Sequence, residues 1–141
     1  MSYNTFMDPI IDNKKVFKYS VFLIFLIFIF NYLATYFYWY SSIWYFDMIM
    51  HFIGGVWLGF FSIYLFKINN LNLKLVFKIL FFLLCVGVGW EIFEIIINNF
   101  TIRDDFNLLD TSSDLFFDMA GGMFAILYFF KKIMSIKQNT L

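Results

Sequence analysis

The sequence predicts an all-α, polytopic membrane protein: a bundle of four transmembrane helices forming a single domain over residues 1–141. Three observations carry this. Of the 141 residues 62% are hydrophobic and only 14% charged, whereas soluble domains run at about half and about a quarter. Four apolar runs come close to the roughly 20 residues that a helix needs to cross the hydrocarbon core. Basic residues are also plentiful in alternate loops and scarce in the others, the pattern that sets orientation in a membrane.

The first span is predicted at Tyr19–Tyr40. It follows Lys14, Lys15 and Lys18, yet it is too long for the apolar part of a secretory signal and lacks a small-residue cleavage motif, so it is expected to stay on the chain. The second and third spans are Phe46–Phe66 and Leu75–Ile97, and the fourth, the shortest, is Leu115–Phe130 with its flanks, approximately residues 114–131. Ser41 and Ser42 punctuate the first gap, and Asn69, Asn70 and Asn72 the second. The stretch from Asn98 to Ser113 reads as the only sizeable loop.

Orientation follows from charge. Lys14, Lys15 and Lys18 precede the first span, Lys67, Lys74 and Lys78 surround the middle loop, and Lys131, Lys132 and Lys137 follow the fourth. The other two loops together hold only Arg103. Both termini and the middle loop are therefore expected in the cytoplasm. Trp39, Tyr40, Trp44 and Tyr45 cluster at the first outer boundary, a depth that amphipathic rings prefer. The formal net charge is zero and no basic stripe is present, which argues against a nucleic-acid partner. A lone Cys85 inside an apolar run excludes a disulfide framework within one chain.

An ionisable group on a membrane helix costs about 2.5–3.5 kcal/mol at the bilayer centre on insertion scales. Asp47 and His51 nevertheless open the second span, Glu91 and Glu94 close the third, and Asp114 and Asp118 open the fourth, with Asp110 just ahead. In the predicted orientation all of them fall near the outer face. Helical spacing sets Asp47, His51, Gly55 and Gly59 on one stripe, and Gly87, Glu91, Glu94 and Asn98 on another. Asp110, Asp114, Asp118 and Gly122 form a third if the helix begins early enough. Each stripe joins acids to glycine, which lets helix backbones approach closely in lipid. Asp47-x3-His51-x2-Gly54-Gly55 also matches Asp114-x3-Asp118-x2-Gly121-Gly122 position for position. A parallel repeat of two helix pairs would set the two motifs face to face.

Many carboxylates in a low-dielectric setting share protons, bind a cation or line a wet cleft. Asp47, His51, Glu91, Glu94, Asp114 and Asp118 are the candidate metal ligands. An oxygen-rich set with one imidazole suits Mg²⁺, Mn²⁺ or Ca²⁺, with Zn²⁺ as an alternative. His51, Glu91 and Glu94 are the candidate catalytic groups: His51 titrates near neutrality one turn from Asp47, and the two glutamates share a face. Asp110, Arg103, Gly55 and Gly122 are expected around them; Arg103 with Asp104 and Asp105 reads first as a solvated outer-loop cluster, and alternatively as an anion-holding group at the mouth. The bland readings are an interhelical hydrogen bond for His51, a polar helix end for the glutamates, and an ordinary helix cap for Asp110 and Thr111. Phosphate loops, nucleophile elbows and H-E-x-x-H helices do not occur in the sequence.

Three segments resemble the YjdF-type family of bacterial inner-membrane proteins and, more distantly, VanZ-like membrane proteins. They are Asp47-x3-His51-Phe52-x-Gly54-Gly55, then Trp90-Glu91-x2-Glu94, then Asp110-Thr111-x2-Asp114-Leu115-x3-Asp118-x2-Gly121-Gly122. They cover about 75 residues, in the order the family uses. The resemblance implies a bacterial inner-membrane location, and its VanZ-like side implies association with the cell envelope and low-level glycopeptide resistance.

The expected function is an outward-facing intramembrane site that binds a divalent cation or protons and, as a hydrolase or transferase, acts on a lipid or envelope-derived substrate. One alternative is transport of protons or a divalent cation, which needs a homo-oligomer or a large motion because the cytoplasmic halves of the spans hold no deep ionisable residue. A non-catalytic scaffold is the third.

Overall fold

A computed structural model of the chain describes residues 13–67, 73–101 and 107–138, and all regular structure among them is helical. α1 spans Asn13–Tyr36, α2 Trp39–Ser42, α3 Phe46–Leu65, α4 Leu73–Thr101 and α5 Leu108–Gln138. Four of these, α1, α3, α4 and α5, are long and apolar enough to cross a membrane. Hydrocarbon offers the backbone no partners, so an apolar segment must bond within itself. Buried hydroxyls obey the same constraint. Ser20 donates to the Val16 carbonyl at 3.1 Å and Ser62 to that of Leu58 at 2.7 Å, each one turn back along its own helix.

Helix ends differ from the sequence reading: α1 begins at Asn13, before Tyr19, and α5 runs to Gln138, past residue 131. The first span stops at Tyr36 rather than Tyr40, because Tyr38 adopts the left-handed conformation (φ 57°) and the chain turns into α2. Tyr40 then donates to Asn31 Oδ1 at 2.6 Å, tying α2 back onto α1. The predicted loop from Asn98 to Ser113 shrinks, since α4 runs to Thr101 and α5 starts at Leu108. From residue 90 to residue 120 there is neither glycine nor proline, so nothing forces an early stop. Asn107, not Asp110 or Thr111, caps α5, its Oδ1 accepting from the backbone N–H of Leu109 at 3.1 Å and of Asp110 at 3.5 Å.

α3 and α5 run in the same direction and form the central pair; α1 packs on α3 and α4 mainly on α5. This is the arrangement of two parallel helix pairs joined through their second members. Glycine makes the seam possible. A Cβ on Gly55 would collide with the backbone carbonyl of Asp118, and one on Gly121 with that of Phe52. A Cβ on Gly59 would lie 2.7 Å from the Ala125 Cβ. The two backbones therefore touch without intervening side chains.

An apolar core of Val16, Leu58, Ile63, Ile79, Leu83, Ile126, Phe129 and Phe130 fills the end of the bundle where α1 begins and α3 finishes. Trp57 joins α3 to α1 there, its indole N–H donating to the Ser20 carbonyl at 3.0 Å. Large aromatics such as Phe22, Phe25, Phe28 and Phe81 point outward, each more than 60% exposed. Rings in such numbers on the outside of a four-helix bundle suit contact with acyl chains, not water. The other end of the bundle is polar.

Candidate metal centre

The polar end assembles from the amino ends of α3 and α5 and the carboxyl half of α4. Asp47 lies in the first turn of α3, and His51 follows one turn later on the same face. Because α5 begins early, Asp114 and Asp118 both stand inside it, one turn apart. Glu91 and Glu94 arrive from α4. His51, Glu91 and Asp114 are buried, and Glu94 is half-buried.

His51 is the hub. Its Nδ1 lies 3.4 Å from Asp118 Oδ1, while its Nε2 is 3.8 Å from Asp47 Oδ1 and 3.9 Å from Asp114 Oδ2. Asp47, His51 and Asp114 each offer one ligand atom with all three inside 4.8 Å of one another, and so do His51, Glu91 and Glu94. Ligand atoms around a cation with bonds of about 2.1–2.4 Å stand about 3.0–3.4 Å apart when adjacent and about 4.2–4.8 Å when opposite. Both triads lie within the outer of those limits. All six of the candidate ligands read from the sequence therefore come from three helices to one place.

Asp118 has a different position from the others. It meets the ring nitrogen turned away from Asp47 and Asp114, which is where a carboxylate holds the tautomer and aim of a metal-binding imidazole. Space for it comes from glycine. A Cβ on Gly87 of α4 would stand 3.1 Å from Asp118 Oδ2, and one on Gly54 of α3 3.9 Å from Oδ1.

Five carboxylates surround one imidazole, so even a protonated His51 leaves a net charge of minus four when all are ionised. In a partly desolvated site that arrangement needs compensating positive charge. Glu91 points to the same need independently. It is only 5% exposed, and among the described residues its Oε1 is a buried side-chain atom with no hydrogen-bond partner. Buried carboxylate oxygens are normally satisfied, and this one belongs to a residue of the second triad. Thr111 of α5, partly buried, stands beside the same carboxylate.

Asp110 is exposed in the first turn of α5 and adds charge at the rim. Gly55 and Gly122 lie in the helix seam, where Gly55 meets the Asp118 backbone and Gly122 faces Leu83. Arg103 lies outside the described residues, as does the side chain of Asn98. Two neighbours of the site do not stand out in the sequence. Thr111 reads there only as a possible cap. Tyr40 reads as a boundary aromatic, yet burial, reinforced by the charges of Asp47 and Glu94, pushes its phenol up to about 12. It thus stays a donor to Asn31 at the edge of the cluster. No sequence signal marks Tyr40, because its place depends on the turn at Tyr38.

A family model described as "Predicted membrane protein (DUF2238)" matches residues 4–134. No curated protein and no solved structure matches the chain.

Proposed function

The chain belongs to this DUF2238 family of predicted membrane proteins, the family to which the YjdF-type motifs point, and from that premise we propose that it is a divalent-metal enzyme of the membrane. Asp47, His51, Asp114 and Glu91 would hold the ion, Glu94 would serve as the base beside it, and Asp118 orients the imidazole. The observation that carries the reading is the buried, unpartnered Oε1 of Glu91, a residue that belongs to a set of carboxylates around one histidine.

A divalent ion held there would supply Lewis-acid chemistry toward water and toward an ester or phosphoester bond of a lipid or envelope-derived substrate. Glu94, half-buried in the same cluster, would accept a proton from water and return it to the leaving group. The lysine distribution supports an outward-facing site and cytoplasmic termini, and the YjdF-type motifs alone support a bacterial inner-membrane location. The likeness to VanZ-like proteins supports an envelope substrate through the sequence motifs alone. Transport is less well supported. Among the described residues no carboxylate or histidine lies in the half of the spans that carries the apolar core, so a relay of protons or cations would end midway.

Purified protein is expected to retain close to one divalent ion per chain by elemental analysis, and chelation is expected to lower its thermal stability. At a ligand concentration of 100 Kd the bound ion contributes about 2.7 kcal/mol. Glu91→Gln should abolish most of that difference while leaving the chelated protein as stable as before or more so, because it removes a buried unpaired charge. Hydrolysis of phospholipid or lipid-linked substrates should require the metal and be lost in His51→Ala. Protein that holds no ion and whose stability ignores both chelator and added Mn²⁺ would refute the reading.

A further inference from the structure

At the end opposite the acids, α1 and the end of α3 enclose a cleft of about 480 Å³ lined by Lys14, Phe17, Tyr64, Leu65 and Lys67. That volume lies within the range of about 300–1,000 Å³ typical of ligand sites. The wall is apolar: the Phe17 and Tyr64 rings stack obliquely with centroids 4.9 Å apart, and Phe17 and Leu65 remain almost half exposed. The rim is cationic. Lys14 opens the α1 span, and Lys67 stands two residues beyond the last residue of α3. Lys67 adopts a left-handed conformation (φ 49°) that glycine would adopt more readily, and it is this lysine that lines the cleft.

Charge separates the two ends of the molecule. Among the described residues all six acids, Asp47, Glu91, Glu94, Asp110, Asp114 and Asp118, belong to the far end, while Lys14, Lys15, Lys18, Lys67, Lys74, Lys78 and Lys131 belong to this one. An anion is favoured here, and the apolar wall requires an anion that carries a hydrocarbon chain. Basic pockets between membrane helices at headgroup depth recognise anionic lipid in this way.

We propose that the cleft binds one anionic phospholipid, with its phosphate between Lys14 and Lys67 and the first part of an acyl chain against Phe17, Tyr64 and Leu65. The site is remote from the carboxylate cluster and independent of any metal there.

Full-length protein in neutral detergent micelles carrying graded fractions of phosphatidylglycerol or phosphatidylcholine, analysed by native mass spectrometry, tests this. One phosphatidylglycerol per chain should be retained at fractions where phosphatidylcholine is not. Each lysine near a headgroup is worth about fivefold, so Lys14→Gln with Lys67→Gln should raise the half-saturating fraction about 25- to 30-fold. Arginine at both positions should restore binding, and Lys131→Gln, outside the cleft, should change it less than threefold. Equal retention of the two lipids overturns the proposal, as does a Lys131→Gln effect matching that of the double variant. Displacement of the lipid by millimolar inorganic phosphate would assign the cleft to a soluble anion and likewise overturn it.

Discussion

Asp118 links the site to the helix seam: its carboxylate faces His51 and Gly87, and its backbone carbonyl occupies the space that a Cβ on Gly55 would need. The sequence shows that Asp118 lies a turn inside an apolar segment, and hence that it needs a partner. It does not show which partner. The sequence reading counts Asp118 as a metal ligand, whereas the distances pair it with the ring nitrogen away from the triad, and the two roles predict different variants. As an orienting group, Asp118→Ala should weaken Mn²⁺ binding about 10- to 100-fold. Asp118→Asn, whose side-chain carbonyl still accepts the ring N–H, should fall between wild type and Ala. If Asp118 were a direct ligand, both variants would lose binding equally. Competition titration against a chelating dye reads the series. Spacing thus makes the membership of the cluster legible, while the division of labour depends on side-chain reach across helices that no single-chain period encodes.

Elements are held apart or together by the glycine seam. Gly55→Ala and Gly121→Ala each place a methyl group against partner backbone, where neither helix can yield by rotating a side chain, and each should cost about 1–3 kcal/mol. A Cβ on Gly89 would meet nothing within 4 Å, so Gly89→Ala should be neutral or stabilising by up to about 1 kcal/mol. Thermal unfolding in detergent separates the two classes. Equal gains at all three sites would show that helix propensity, not contact, governs them. The seam is foreshadowed by the matching Gly54-Gly55 and Gly121-Gly122 pairs. The early start of α5 is not legible in the same way, because Asn107, the residue that caps it, sits in a polar stretch that also reads as loop. Without that earlier start, Asp110 would not share a helical face with Asp114 and Asp118.

On the scale of the whole molecule, four spans follow from hydropathy alone, because uninterrupted apolar runs have only one way to satisfy their backbone in lipid. The separation of charge between the two ends also follows from the sequence, given the spans. Which end faces out is a further step. In a Cys85→Ala background, Ser42→Cys should react with a membrane-impermeant maleimide in intact cells, and Lys67→Cys only after permeabilisation. The reverse pattern would move the carboxylate cluster to the cytoplasmic face. Since α3 and α5 run the same way, both of their amino ends converge on the acids, and each end presents roughly half a positive charge from peptide N–H groups left without helical partners. The carboxylates thus sit in a well already partly filled by the backbone, so a cation held there is expected to exchange with its surroundings instead of being locked in place.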